Sequence, residues 1–163
     1  MQQTPKTALI IGASGLIGSE LIQLLINDNR YDKINLLVRK QLAVNHTKIN
    51  QIQVDFEKLK QQDVVAHDVF CCLGTTIKIA KTKEAFFKVD FDYVVNTAKI
   101  AKFNNIAQFA VVSSLGADKN SKVFYSKTKG QMEEAVSLLN FDLCAILRPS
   151  MLLGNRSEFR LGE

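Results

Sequence analysis

Thr7-Ala8-Leu9-Ile10-Ile11-Gly12-Ala13-Ser14-Gly15-Leu16-Ile17-Gly18 is the stretch whose reading decides the fold. An apolar run enters a turn with glycine at every third position, and an amphipathic segment follows at once. A strand, a glycine turn and a helix in that order make a turn whose backbone can lie against a pyrophosphate. Gly12 permits the reversal, Gly15 lets the backbone approach the anion, and Gly18 lets the helix pack closely on the strand. With Ser14, Leu16 and Ile17 between them, the helix begins where the phosphates are expected. Its free N–H groups and positive dipole end face the anion there. The competing reading is a glycine-rich turn that binds nothing.

Outward from this turn, apolar runs and amphipathic stretches alternate. Strands are expected over residues 8–11, 34–38, 49–54, 69–73, 107–112 and 143–147. Helices are expected over 16–27, with Leu21, Leu24, Leu25 and Ile26 as the apolar face, and over 81–103 and 123–139, with a short one over 57–62. Strands that are apolar throughout and separated by helices predict an α/β fold. It is a doubly wound parallel sheet of about six strands with helices on both faces, a single domain over 1–163.

The net charge of +5 is spread over scattered lysines often set beside Asp or Glu, with no compact basic block, which argues against nucleic acid. A 47% hydrophobic content suffices for a core, and no apolar run reaches membrane-spanning length. The opening Met1-Gln2-Gln3-Thr4-Pro5-Lys6 lacks the apolar stretch of a secretory signal, so a cytoplasmic location is expected. Cys71, Cys72 and Cys144 lie in apolar runs without metal-like spacing and read as reduced core residues. His46 and His67 are isolated, so neither a metal site nor a His-based triad is expected.

Ligands of open parallel sheets sit at the carboxyl ends of the strands. Arg39-Lys40 follows the second strand, 21 residues beyond Gly18, where a carboxylate would mark NAD. A guanidinium there grips a 2′-phosphate, so NADP(H) is expected over NAD(H), against the alternative of a solvent-exposed arginine. Asp55 after the third strand can accept from an adenine amino group with Phe56 beside the base, or can cap a helix. Leu73-Gly74-Thr75-Thr76 after the fourth offers a glycine that admits the cofactor and two hydroxyls. Ser113-Ser114 ends the fifth strand, and Tyr125 and Lys129 share one face of the next helix. A phenol, with an ordinary pKa of about 10, needs a nearby cation to exchange protons at neutrality, and Lys129 supplies one. Ser114 orients a carbonyl while Tyr125 exchanges the proton; alone, a tyrosine and lysine at this spacing are equally a core aromatic and a solvated charge.

Together these residues resemble the short-chain dehydrogenase/reductase superfamily, and more narrowly its atypical branch containing the Tat-interacting-protein oxidoreductase. The resemblance rests on the glycine turn, Val54-Asp55-Phe56, Cys71-Cys72-Leu73-Gly74-Thr75-Thr76 and Val89-Asp90-Phe91-Asp92-Tyr93-Val94. It continues through Ser113-Ser114-Leu115-Gly116-Ala117-Asp118, Tyr125, Lys129-Gly130 and Arg148-Pro149. It implies a Rossmann fold, NADP(H) at the glycine turn and at Arg39-Lys40, and a Ser–Tyr–Lys reductase site. The chain departs from the pattern in three places. Ser114 precedes Tyr125 by only 11 residues, with Ser113 an alternative; Asp90 stands where many relatives have Asn; and the chain stops at Leu161-Gly162-Glu163. Relatives continue beyond that point, so the substrate side is expected to be largely missing. Arg148-Pro149-Ser150 resembles the segment near the nicotinamide, and Arg156 is either a phosphate ligand or surface charge.

Two functions follow as expectations: an NADP(H)-dependent oxidoreductase acting on a small carbonyl or alcohol, or a non-catalytic NADP(H) sensor acting through a protein partner. A nucleotide-sugar epimerase is a weaker third, disfavoured by Arg39. The two long helices offer faces for a homodimer.

Overall fold

The computed structural model describes residues 4–150 and residue 152. Six strands form one sheet: β1 (Lys6–Ile11), β2 (Tyr31–Val38), β3 (Ile49–Gln53), β4 (Asp68–Cys71), β5 (Gln108–Val112) and β6 (Leu143–Leu147). Their order is β3-β2-β1-β4-β5-β6, and every neighbouring pair is parallel. The chain therefore starts at the centre, winds to one edge, returns and winds to the other. The C-terminal ends of β1 and β4 become neighbours where the winding reverses.

Strand alternation splits the core into two layers. Ala8 and Ile10 of β1 face one side with Ile34, Leu36 and Val38 of β2, under α1 (Leu16–Ile26). Leu9 and Ile11 face the other side with Leu37, Val69, Cys71, Phe109 and Val111. That second layer is covered by α4 (Tyr93–Phe103) and α5 (Phe124–Ser137), through Val94, Ala98, Ala101, Met132 and Val136. The doubly wound expectation holds. The interior strands β1 and β2 carry the longest buried runs, Ala8 to Ile11 and Ile34 to Val38, whereas no residue of edge strands β3 and β6 is fully buried.

Two expectations about the helices are corrected. In α1 the buried stripe is Gly18, Ile22 and Leu25, and Leu24 is 68% exposed. Seven of the eleven residues of α1 are apolar, so composition does not choose the buried face. Gly18 chooses it, because the helix touches the strand layer there and residues four and seven positions on share that side. The single helix expected over 81–103 starts later and is interrupted. Lys81 lies at φ 72°, Thr82 accepts from the Ala85 amide at 3.1 Å, and α3 runs Lys83–Phe87. A π turn over Lys88–Asp92 then joins α3 to α4. This wider turn keeps Phe86, Asp90 and Val94, spaced by four, on the buried side. A separate short helix, α2 (Ile77–Ala80), precedes α3 and is capped by the Thr76 hydroxyl. The short helix expected over 57–62 is two 3-10 turns, Phe56–Lys58 and Gln61–Asp63.

Phe109 is fully buried and stacked on Phe141 with centroids 5.1 Å apart. Phe109→Ala should cost about 3–5 kcal/mol in denaturant unfolding, whereas Leu24→Ala should stay within about 0.5 kcal/mol of the parent. Equal losses would contradict the assignment of the α1 face.

Candidate functional site

The glycine turn is built by close contact of backbones. Gly12 has φ +80°, and a Cβ there would stand 2.5 Å from the carbonyl carbon and oxygen of Cys72 at the end of β4. A Cβ on Gly18 would stand 2.2 Å from the Gly12 carbonyl oxygen. The turn, the first turn of α1 and the end of β4 thus meet without intervening side chains. Gly15 is the N-cap residue of α1 and donates to the Gly12 carbonyl at 3.0 Å, and no side chain caps the helix. Among the described residues the first-turn amides of Leu16, Ile17 and Gly18 have no backbone acceptor, and Ser14 beside them is exposed. A diphosphate fits such a cradle by charge and by donor geometry.

Beside it, at the ends of β4 and β5, the polar groups converge. Lys129 is 4% exposed, and its Nζ lies 2.6 Å from Asp90 Oδ1. Asp90 is fully buried, and its Oδ2 accepts from the Thr75 backbone amide at 2.9 Å. A Cβ on Gly74 would lie 3.6 Å from Asp90 Oδ1 and 3.8 Å from Lys129 Nζ, so the glycine leaves space against this pair. Tyr125, one turn before Lys129 on α5, is half-buried with its ring 5.5 Å from that of Phe86. The Ser113 and Ser114 hydroxyls are buried and have no hydrogen-bond partner among the described residues. Ser113 donates its amide to the Leu147 carbonyl at 2.7 Å, continuing the β5 ladder. By alternation Ser113 shares the side of Phe109 and Val111, which α5 covers; Ser114 follows at the turn, where its carbonyl accepts from Ala117.

Other expected site residues fall elsewhere. Arg39 and Lys40 are exposed at the end of β2, and neither forms an ion pair among the described residues. Asp55 caps the turn over Phe56–Lys58 by accepting from the Glu57 amide at 3.0 Å, the second of its two expected roles. The Phe56 ring is buried and stacked on Tyr93 at 5.6 Å, so it packs in the core rather than beside a base. Leu73 is half-buried against the core, and Thr75 is held through its amide. Arg148 is engaged by Glu133 of α5, Nε to Oε1 at 2.9 Å with a second contact from Nη2, which ties the end of β6 to that helix. Arg156 lies outside the described residues.

The three cysteines are free. Burial pushes the Cys71 thiol up to about 12 and the Cys72 thiol up to about 11, so neither is a thiolate at neutral pH. Two surface recesses, of about 570 and 290 Å³, lie at the opposite ends of the strands and share no residue with the glycine turn. No helix among the described residues is long and apolar enough to cross a membrane.

The role of Asp90 is the feature that sequence reasoning missed. Its signal was present: an acidic residue between Phe86 and Val94, at the spacing of a buried stripe.

A parallel sheet in this order, with a close-packed glycine turn where the winding reverses, defines a dinucleotide-binding Rossmann fold. The chain belongs to the NAD(P)H-binding family, whose model matches residues 12–160. It is 40% identical over 164 residues to Protein HTATIP2 of Rattus norvegicus, covering 97% of this chain and 67% of that one. It is 36% identical over 156 residues to Protein FMP52, mitochondrial, of Meyerozyma guilliermondii, covering 91% and 66%. Among solved structures it is similar to the Bordetella bronchiseptica enzyme WbmH in complex with NAD+, with a TM-score of 0.74 at 17% identity, covering 89% of this chain and 56% of that one. MoeE5 in complex with UDP-glucose and NAD gives 0.73 at 17% identity, covering 87% and 53%. The chain thus spans about two thirds of the curated relatives and little more than half of these structures. The structural likeness carries the fold alone.

Gly12→Ala should lower unfolding stability by more than about 2 kcal/mol, because both its φ and the Cys72 backbone oppose a side chain. An unchanged denaturation midpoint would show that turn and β4 can separate at little cost.

Proposed function

We propose that the protein is an NADP(H)-dependent oxidoreductase of the short-chain dehydrogenase/reductase type acting on a small carbonyl or alcohol. The observation that supports it most is the buried ammonium of Lys129, at the ends of β4 and β5, beside the space left by Gly74 and one turn from Tyr125. A buried cation is costly unless paired, and Asp90 holds this one in place. In this reading the held ammonium also serves the Tyr125 phenol and the ribose.

In this reading the amides of Leu16 and Ile17, with Gly12, Ser14, Gly15 and Gly18, hold the diphosphate. Arg39 and Lys40 hold the 2′-phosphate, since both are exposed cations directly after β2. Asp55 and the Phe56 backbone flank the adenine, while Leu73, Gly74 and Thr75 border the ribose. Bound nicotinamide supplies the hydride that reduces the carbonyl carbon. Tyr125 then passes its hydroxyl proton to the carbonyl oxygen, and Lys129 stabilises the phenolate left behind. Ser114 hydrogen-bonds the carbonyl oxygen; Ser113, with its equally unpartnered hydroxyl on the α5 side, is the alternative donor.

Calorimetric titration with NADPH and NADH side by side tests the cofactor half. Arg39→Ala should weaken NADPH by about 10–100-fold and NADH hardly at all. Equal losses for both would remove the 2′-phosphate role. A panel of small carbonyls tests the chemistry: Tyr125→Phe should lower turnover by about 10²–10⁴-fold with NADPH affinity unchanged. Of Ser113→Ala and Ser114→Ala, the larger loss of kcat identifies the carbonyl donor. Tight NADPH binding with no turnover of any carbonyl or alcohol would instead support a cofactor-sensing protein.

A further inference from the structure

We infer that the carbonyl substrate carries an apolar arm of several carbons, and that Leu115, Val123, Ile77 and Ile79 are the residues that select for it. The inference rests on the reading of the site given above and names the substrate class that site takes.

Four of the ten exposed large apolar side chains among the described residues stand on segments that border the site. They are Leu115 at 67% exposure, Val123 at 60%, Ile79 at 57% and Ile77 at 38%. Leu115 follows Ser114 directly, at the turn that ends β5. Val123 is the N-cap residue of α5, just ahead of Tyr125. Ile77 and Ile79 belong to α2, which begins just after Thr75 and Thr76. Hydrogen bonds hold these segments in place. The Leu115 amide donates to the Pro149 carbonyl at 3.1 Å, the Asp118 amide to the Ser126 carbonyl at 3.0 Å, and the Val123 amide to Ser121 Oγ at 3.1 Å. The loop after β5 therefore lies along the first turn of α5. A single exposed aliphatic residue needs no explanation, whereas several on the segments that border one site do.

The wall behind them is apolar as well. Phe86 is fully buried, with its ring 5.5 Å from that of Tyr125 and 5.9 Å from that of Phe124, so the tyrosine rests on a phenylalanine. The hydroxyls of the α2 segment are engaged locally: Thr76 accepts from the Ile79 amide and Thr82 from the Ala85 amide, both at 3.1 Å. Residues 72–83 contain no carboxylate and no side-chain amide, and their exposed lysines, Lys78, Lys81 and Lys83, are solvated heads on apolar stems. A substrate dense in hydroxyl groups would leave them unpaired against such a surface, which costs affinity. An aliphatic or aromatic arm leaves nothing unpaired and is withdrawn from water. Polar groups remain for the carbonyl itself, namely the Tyr125 phenol and the unpartnered Ser113 and Ser114 hydroxyls.

The experiment uses the full chain with NADPH and straight-chain aldehydes from propanal to octanal. kcat/KM should rise about twofold to fourfold per added CH2, the range from partial to full withdrawal of a methylene from water. Leu115→Ser should lower the octanal-to-propanal ratio of kcat/KM by about tenfold, with parental NADPH affinity by calorimetry. Leu24→Ser, equally exposed but on α1, should leave the ratio unchanged. A kcat/KM independent of chain length, or the same change in ratio for both variants, would overturn the inference. A second readout needs no turnover. Octanamide, an unreduced stand-in for the aldehyde, is added to methyl-labelled protein with and without NADPH, and methyl resonances are followed by NMR. Leu115, Val123 and at least one of Ile77 and Ile79 should shift, while Leu24 and Leu138 stay in place. Equal shifts at all exposed methyls would mean indiscriminate adsorption and would also overturn it. Shifts confined to the site, with no turnover of any aldehyde, would retract the reductase reading and keep the recognition of an apolar arm. Turnover that ignores chain length, with no methyl shifts, would keep the reductase and retract the arm.

Discussion

The structure depends on one steric constraint: three backbones meet at Gly12 and Gly18 with no side chain between them. The strand-one turn lies against the end of β4, and the first turn of α1 lies against the turn. From that contact follow the angle at which α1 leaves the sheet, the stripe it buries, and the exposure of its first amides toward the strand ends. The reversal of strand order at β1 and β4 opens the sheet at that same place. Anion cradle and polar cluster are therefore neighbours by topology, and no long loop has to bring them together.

Much of this was legible in the sequence because its signals are local. The glycine register announces strand, turn and helix within twelve residues, and the apolar runs of β1, β2, β4 and β5 announce a sheet covered on both sides. Residues that read ambiguously as a sequence did so for a physical reason. Asp55 carries a side chain suited to a cap or to a ligand, and the structure shows the cap. Phe56 follows a strand end, but its ring has better company in Tyr93 and the core than in solvent. Leu24 is apolar among apolar neighbours, and only the contact at Gly18 reveals that it turns outward.

The π turn was illegible for a different reason. Periodicity counts residues at a fixed pitch, and a wider turn changes the pitch for one turn only. Phe86, Asp90 and Val94 look like a stripe broken by a charge until the turn is known, after which they form a continuous buried line. The partner that makes the charge tolerable, Lys129, lies 39 residues further on, beyond any local pattern.

The position of β1 bears on how the chain comes off the ribosome. Ile10 pairs with Leu36 on one side and with Phe70 on the other, so the first strand made cannot gain its second neighbour until some sixty further residues have emerged. Up to then an almost wholly apolar strand has one partner and one open edge, and the glycine turn lacks the Cys72 backbone it packs on. Nascent chains at this stage expose a strand that pairs readily with others like it. The arrival of β4 closes that edge and finishes the anion cradle in the same step. The interval of greatest aggregation risk therefore ends when the glycine turn gains the backbone it packs on.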